Sequence, residues 1–380
     1  MKILFLVYHT LEEHSGISKK IRAQVRGLQA SGAEVHLCAL EKRPDGSKAR
    51  VVDGQPIRLF GSGLKAKLAK RVSYSDISHY VQAQGIGLVY IRYDINADPF
   101  TLRFARQLRQ TGAKVFVEIP TWPYDGEFRG QSARMQVQLA LDRLFRRRFF
   151  AQVDRVVTFS DDRCIFGVPA LNLSNGIDFG AVPLSAHGRP TGNVPEGGAS
   201  EAGTLHLLSV ANIHLWHGLD RLIRGMGECP DLPAELHIVG DGLPEIMEGY
   251  ARLAREYGLS DRVKLLGPMY GPSLDREFAW ADVAVGSLAR HRSGINSIKT
   301  LKNREYAARG LAFFYSENDS DFDARPYVLK LPADETPVDL RAVGEFLAHL
   351  SVSPAEIRES IAHLSWDVQM AAVTAAAQAL

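Results

Sequence analysis

Short apolar segments alternate with helix-forming segments along most of the chain, and this alternation restricts the fold more than any other feature of the sequence. Strand-like runs such as ILFLVY and KVFVEI are each followed by an amphipathic stretch. The run SGISKKIRAQVRGLQASG predicts a helix with Ile17, Ile21 and Leu28 on one face, and Gly32 is expected to end it. Strand–helix alternation of this kind predicts parallel sheets covered by helices on both faces.

Residues 180–204 interrupt the alternation. GAVPLSAHGRPTGNVPEGGASEAGT contains six glycines and three prolines, which is typical of a linker or a long loop. The alternation then starts again, and 380 residues are too many for one ordinary core. We therefore expect an N-terminal domain over 1–178, a linker over 179–204 and a C-terminal domain from 205.

Several function classes are disfavoured by what the sequence lacks. No apolar run approaches the ~20 residues of a membrane span. The three cysteines are scattered, which indicates a reducing cytoplasm and no metal cage. The first strand is not followed by G-x-G-x-x-G, and no G-x-x-x-x-G-K-[ST] occurs, which argues against dehydrogenases and P-loop NTPases.

Charge is distributed unevenly. Residues 1–178 hold 27 Lys and Arg against 17 Asp and Glu, and the rest of the chain holds 18 against 26. The densest basic stretch, DRLFRRRFF, places Arg146, Arg147 and Arg148 beside Phe149 and Phe150. We expect this half to face an anionic membrane surface and no nucleic acid. The alternative is a solvated helix whose phenylalanines turn inward.

The stretch SIKTLKNREYAARG (297–310) gathers cations around a single acid, Glu305. Lys299, Lys302 and Arg304 would lie at the start of a helix that ends at Gly310. Such a set suits an anionic ligand at a helix N-terminus. The simpler alternative is a solvated helix in which Glu305 pairs with its neighbour four residues on.

Seven stretches, taken in order, resemble one family. They are VVTFS (156–160), SNGID (174–178), VANIHLWHGLDRLIRG (210–225), LHIVGDG, RVKLLGPM, ADVAVGS and REYAARG. Together they resemble the retaining glycosyltransferases of family 4. The resemblance implies the GT-B fold: two Rossmann-like, doubly wound α/β domains with parallel sheets facing a central cleft. It also implies a C-terminal domain over 205–365 and a final helix, 366–380, that crosses back to the N-terminal domain.

The resemblance implies a nucleotide diphosphate sugar as donor, with Glu305 at the ribose and Lys302 at the phosphates. The chain departs from the family pattern where Ser297 replaces the first glutamate of E-x7-E, where Asn212 replaces an arginine and where His217 replaces a lysine. Asn296 and Ser297 would then contact the donor sugar, while His217 is alternatively a structural residue beside Trp216. The residues expected at the donor nucleotide and its phosphates are Gly16, Asn212, His217, Gly240, Met269, Tyr270, Arg292, Gly294, Lys299, Lys302 and Glu305.

The run EIPTWPYDGEF (118–128) follows a predicted strand and should line the acceptor side. Its flat rings and carboxylates suit a saccharide, and Glu118 takes the place of a histidine common in the family. We expect Glu118 and Lys302 to be catalytic. The alternative is a rigid loop whose aromatic side chains fill the core. The residues expected at the acceptor are Trp122, Tyr124, Asp125 and Glu127.

The resulting hypothesis is a retaining, metal-independent glycosyltransferase without a cofactor, acting in bacterial surface polysaccharide synthesis. It would transfer a hexosyl or deoxyhexosyl group to a saccharide or lipid-linked acceptor, at the inner face of the cell membrane. A divalent metal at ENDSDFD (317–323) is a weaker alternative, because clustered acids in a loop are usually solvated. Two other functions stay open: a nucleotide-sugar 2-epimerase of the same architecture, and a non-catalytic nucleotide-sugar-binding protein.

Overall fold

A computed structural model describes residues 1–12, 15–128, 132–185 and 203–380, apart from the side chains of Glu127 and Phe128. Residues 186–202 of the expected linker lie outside this description. The chain divides into two compact units, Met1–Ser174 with Trp366–Leu380 (unit 1) and Asn175–Ser365 (unit 2). Within the described ranges, no helix combines the length and apolarity needed to cross a membrane.

Unit 1 is built on a nine-stranded sheet with the strand order β4-β3-β2-β1-β5-β6-β7-β9-β8. The central strands are parallel, while β3 and β4 form an antiparallel extension beside β2, and β8 pairs antiparallel with β9. The strands are β1 Lys2–Thr10, β2 Glu34–Lys42, β3 Lys48–Val52, β4 Gln55–Gly61, β5 Leu88–Arg92, β6 Lys114–Ile119, β7 Arg155–Thr158, β8 Cys164–Ile165 and β9 Val168–Asn172.

Helices cover both faces of this sheet. They are α1 Gly16–Ala30, α2 Gly63–Val72, α3 Ser75–Gln84, α4 Pro99–Gln110 and α5 Ala133–Phe150. Successive residues of β1 point to opposite faces, so that Phe5 joins one buried cluster with Ile21 of α1, and Leu4 joins another with Phe104 of α4. Alternating burial on both faces is what the apolar strand runs predict.

Unit 2 has a six-stranded, wholly parallel sheet with the order β12-β11-β10-β13-β14-β15. Its strands are β10 Leu205–Val210, β11 Ala234–Val239, β12 Val263–Gly267, β13 Val283–Val285, β14 Phe313–Tyr315 and β15 Val328–Lys330. Its helices are α6 Leu219–Glu228, α7 Pro244–Glu256, α8 Pro272–Trp280, α9 Leu301–Ala308, α10 Leu340–Ala348 and α11 Pro354–Glu359. One continuous apolar core lies between these layers.

The last helix, α12 (Trp366–Gln378), belongs to unit 1 and packs against α1. Trp366, Met370 and Val373 are buried there. The two helices come close because position 27 of α1 is a glycine: a Cβ on Gly27 would lie 2.5 Å from the carbonyl oxygen of Trp366. The C-terminal segment is therefore an integral layer of unit 1.

Candidate functional site

The loops that follow the strands of unit 2 bring its unusual polar residues together. The loop after β10 bonds to the loop after β13, where the Leu288 amide donates to the His217 carbonyl over 3.0 Å. The segment before α9 bonds to the loop after β14, where the Asn318 amide donates to the Asn296 carbonyl over 2.7 Å. Carboxyl ends of parallel strands are where ligands of such sheets bind.

The ammonium nitrogen of Lys302 and the carboxylate of Glu317 are buried at this edge, close enough for their charges to interact. The ammonium nitrogen of Lys302, in the first turn of α9, has no hydrogen-bond partner among the described residues, and neither has either carboxylate oxygen of Glu317. Burial lowers the pKa of Lys302 and raises that of Glu317, while the attraction between the two charges opposes both shifts. Buried polar groups are nearly always hydrogen-bonded, so this arrangement is incomplete in the protein alone.

His217 and Arg290 add to this cluster. His217 is buried, and its Nδ1 accepts the His214 amide over 2.9 Å. Burial, followed by the charge of Lys302, lowers the pKa of His217 well below its ordinary value. The guanidinium of Arg290 lies 4.9 Å from the Trp216 ring centroid, and its charge further lowers the pKa of Lys302. His217 is thus neutral and anchored to the backbone, while Arg290 supplies a cation that the sequence analysis missed.

Glu305 lies one turn after Lys302 on α9. Its Oε1 accepts from Arg309 Nε over 3.1 Å, which is the i,i+4 pair expected for a solvated helix. Arg309 also donates to Asp275 over 2.7 Å. The Glu305 side chain is 30% exposed, and no hydrogen bond to its Oε2 occurs in the described chain. One carboxylate oxygen is therefore available to a ligand.

The three aspartates of the acidic run after β14 are neutralised from within unit 2. Arg304 is fully buried and pairs with both Asp319 and Asp321. Lys299 Nζ lies 4.0 Å from Asp321 Oδ1, so this lysine faces the acidic loop. The carboxylate of Asp323 accepts from the Tyr315 hydroxyl over 2.8 Å and pairs with a lysine of β15. No group of three or more metal-ligating side chains occurs in the described ranges.

Arg292 was expected at the donor phosphates, and the structure contradicts this. Its guanidinium donates to Asp220 over 2.9 and 2.8 Å, to the Leu215 carbonyl over 3.0 Å and to Glu335. The hydrogen bonds to these carboxylates raise the pKa of Arg292. A guanidinium with this many partners cannot bind phosphate without breaking an ion pair.

The remaining donor-side residues lie in the loops of the same edge. Gly240 ends β11 with a φ of +130°, and a Cβ there would lie 1.8 Å from the Ala211 carbonyl oxygen. That glycine is therefore required by packing within unit 2. Met269 is partly buried against the core, whereas Tyr270 is half-exposed. The exposed residues among the others are Asn212, Gly294, Asn296 and Ser297.

Glu118 was expected to be catalytic, but it is a structural residue of unit 1. It has no exposed surface. It accepts from Gln24 over 2.6 Å, from the Tyr90 hydroxyl over 2.7 Å and from Arg92, and it pairs with Lys20 over 3.4 Å. These partners outweigh the desolvation and lower the pKa of Glu118. Its carboxylate links α1 to the sheet.

The aromatic loop after β6 also packs inward, as the alternative reading of it anticipated. Tyr124 is buried and donates to Asp142 over 2.7 Å. Trp122 packs edge-on against Phe166, with ring centroids 4.9 Å apart. Asp125 accepts from Arg146 over 2.7 Å. Tyr124 and Asp125 therefore have partners within unit 1, although the Asp125 side chain is 35% exposed. The side chain of Glu127 lies outside the described residues.

The basic stretch of α5 contains both side chains that pack within unit 1 and side chains that are exposed. Phe149 and Phe150 are buried, and Arg146 is held by Asp125. Arg147 and Arg148 remain exposed.

At the start of α1, a Cβ on Gly16 would meet nothing within 4 Å, so packing within unit 1 does not require this glycine.

Comparison with known proteins gives a family-model match within unit 1 and a fold for the whole chain. Residues 15–162 match the family model described as a glycosyl transferase 4-like domain. A search of curated proteins found no match.

Among solved structures, a sucrose-phosphate synthase from Thermosynechococcus elongatus has a TM-score of 0.62 at 17% identity and covers 100% of this chain and 98% of its own. A glycosyltransferase from Rickettsia africae has a TM-score of 0.62 at 10% identity, with the same coverage. HepE from Anabaena, in complex with UDP and glucose, has a TM-score of 0.56 at 14% identity and covers 100% and 99%.

Residues 15–162 are similar to the glycosyl transferase 4-like domain, and the chain has the GT-B fold. The family match lies within unit 1 and includes Gly16 and Glu118. Lys302, Glu305 and Glu317 lie outside it, in unit 2. The donor-side roles therefore rest on the geometry of unit 2 alone.

Proposed function

We propose that the protein is a glycosyltransferase that moves a sugar from a nucleoside diphosphate sugar to a saccharide or lipid-linked acceptor. The observation that carries the proposal is the buried, unpartnered pair Lys302 and Glu317 at the carboxyl edge of the unit 2 sheet. A diphosphate would give Lys302 the partner that the protein does not supply. The glycosyl transferase 4-like domain and the HepE complex with UDP and glucose support the same donor class.

Each part of the donor has a candidate partner. Lys302 and the first amides of α9 would hold the diphosphate, because a helix N-terminus favours anions. Arg290 would add a second positive charge. The free oxygen of Glu305 would accept from the ribose hydroxyls. Asn296 and Ser297 would contact the sugar, since their segment is bonded to Asn318, the neighbour of Glu317.

Catalysis would consist mainly of leaving-group stabilisation and positioning. The bond between the anomeric carbon and the diphosphate oxygen breaks, and the acceptor oxygen bonds to the same carbon. The acceptor oxygen would attack from the same face that the diphosphate leaves, so the configuration would be retained. The acceptor's proton would pass to the departing diphosphate. Lys302 and Arg290 would stabilise the charge on the leaving diphosphate, and we propose that no metal or cofactor is needed.

The place of action is also a proposal. The exposed Arg147 and Arg148 suit the inner face of an anionic cell membrane, where a lipid-linked acceptor of surface polysaccharide synthesis would be available. Loss of binding to anionic vesicles when both are replaced by serine would support this location. Equal binding to neutral and anionic vesicles would count against it.

The decisive experiment incubates the full chain with a panel of nucleotide sugars and records which of them raises the melting temperature. The stabilising donor is then followed with and without saccharide acceptors by product analysis. Transfer, or slow donor hydrolysis, supports the proposal. Formation of a 2-epimer without acceptor would identify an epimerase, and binding without any turnover would identify a non-catalytic binder.

A further inference from the structure

Unit 1 contains a cavity that shares no residue with the Lys302–Glu317 cluster. A cavity of about 560 Å³ opens among the ends of β1 and β2, the start of β3, helix α2, the loop after β5 and the start of α5. This volume lies within the range of roughly 300–1,000 Å³ that is usual for small-molecule sites. The cations that line it are Lys48, Arg50, Lys67, Lys70, Arg71 and Arg134.

Two of these cations are neutralised within unit 1. Arg50 donates to Asp76 over 2.8 and 2.7 Å. Arg71 lies 3.8 Å from Asp98. The four others, Lys48, Lys67, Lys70 and Arg134, form no ion pair with any described residue. The acids in the lining are Asp94 and Asp98, so positively charged side chains outnumber acids in the cavity wall.

Lys70 lies close enough to the other three unpaired cations to be repelled by them. The pKa of Lys70 is lowered, first by burial and then by the charge of Lys48, with further contributions from Arg134 and Lys67; Asp94 opposes the shift. A group of like charges held this close is stabilised by an anion placed among them.

The remaining lining suits an ester of an apolar or saccharide group. Tyr8 and Tyr74 pack edge to face with their ring centroids 6.1 Å apart, and the Tyr8 hydroxyl is buried without a hydrogen-bond partner in the described chain. Burial raises the pKa of Tyr74 to about 12, so its hydroxyl stays a neutral donor. On the rim, Leu64 and Leu68 are 82% and 65% exposed.

We propose that this cavity binds the phosphate or diphosphate ester group of the acceptor. The inference rests on the transfer reaction proposed above. Several unpaired cations and a buried hydroxyl match the multiple charges and oxygens of a phosphate ester better than a single carboxylate. The cavity lies at the carboxyl ends of β1 and β5, the edge where sheets of this type bind ligands.

Glucose 6-phosphate serves as the soluble probe, and its binding to the full chain is measured by titration calorimetry with glucose and glucuronate as references. The variant Lys67→Ser/Lys70→Ser should lose at least about tenfold in affinity for glucose 6-phosphate. The charge-matched control Lys65→Ser/Arg106→Ser changes a cation of the same helix and one of α4, both outside the lining, and should bind normally. Equal affinity of both variants, equal binding of glucuronate, or no binding of the phosphate ester would overturn the proposal.

A second arm separates lipid-linked from soluble acceptors. Phosphatidylcholine vesicles with and without a polyprenyl diphosphate are tested against the variant Leu64→Ser/Leu68→Ser. If the variant binds the lipid-bearing vesicles less and glucose 6-phosphate unchanged, the site takes a lipid-linked ester. If neither wild type nor variant prefers the lipid-bearing vesicles while glucose 6-phosphate binds, the site takes a soluble ester.

Failure of this proposal can be told apart from failure of the proposed transfer reaction. Glucose 6-phosphate carries no base and is titrated in the presence of saturating nucleoside diphosphate. Normal donor binding with no phosphate-ester binding would overturn the acceptor pocket alone. Phosphate-ester binding that is sensitive to Lys67 and Lys70, without any donor binding, would instead retain the pocket and reject the transfer reaction.

Discussion

The side-chain charges of Lys302 and Glu317 attract each other inside unit 2, yet neither side chain makes a hydrogen bond within the described chain. Burying charged groups without partners costs free energy, and replacing them by apolar or neutral groups of similar volume commonly stabilises a protein. A pair kept in this state is consistent with a site whose partner is a ligand.

The first prediction separates stability from donor binding. The double variant Lys302→Met/Glu317→Gln should be more stable than the wild type by about 1–4 kcal/mol, seen as a higher melting temperature. It should also bind the stabilising nucleoside diphosphate at least about tenfold more weakly, because a charge-assisted hydrogen bond is lost. Lys264→Met, on edge strand β12, should keep donor affinity. A double variant that is less stable or retains donor affinity would contradict the assignment.

The second prediction concerns pH. A bound diphosphate favours the protonated form of Lys302, whose pKa is lowered in the free protein, so binding takes up a proton. Affinity should therefore fall as pH rises from neutrality toward the ordinary lysine pKa of ~10.4. Protonation of Glu317, whose pKa is raised, acts in the same direction because it removes a negative charge. The double variant should lose this slope in calorimetry between pH 7 and 9, and a wild type with a flat profile would argue against Lys302 as the phosphate ligand.

The third prediction concerns Glu305. The variant Glu305→Gln should raise the donor's dissociation constant by about tenfold or more, since an amide is a weaker acceptor for the ribose diol. Asp275→Asn is the matched control, because Asp275 is the other carboxylate that pairs with Arg309. If both variants bind donor equally well, Glu305 acts only in its pair with Arg309.

The sequence was sufficient for the doubly wound architecture because the two sheets are built from apolar strands whose periodicity is local. The strand KVFVEI is Lys114–Ile119 as expected, and the helix expected from SGISKKIRAQVRGLQASG is α1, Gly16–Ala30. The β3–β4 hairpin was missed, although its signal is present. Asp53 and Gly54 have φ values of 51° and 78°, which is the Asp-Gly turn that favours hairpins.

The site was harder to predict because side-chain direction depends on distant partners. Tyr124 turns inward to Asp142 on α5, and Glu118 is surrounded by groups from α1 and β5. Nothing in EIPTWPYDGEF reveals those partners. In the sequence, nothing distinguishes Glu317 from the other acids of the run 317–323. It differs from Asp319 and Asp321 because Arg304 pairs with those two and not with Glu317.

The last prediction concerns the contact between α1 and α12. Met370 is fully buried against α1 near Gly27, whereas Val368 on the same helix is 52% exposed. Met370→Ala should destabilise unit 1 by ~2–5 kcal/mol, while Val368→Ala should change stability by less than about 0.5 kcal/mol. Hydrogen exchange should show weaker protection of Gly16–Ala30 in Met370→Ala only, because α1 loses the layer that covers it. Since α1 also carries Lys20 and Gln24, which bind Glu118, the network beneath the sheet edge should loosen with it. Equal exchange of α1 in both variants would mean that α12 is not required to hold α1 in place.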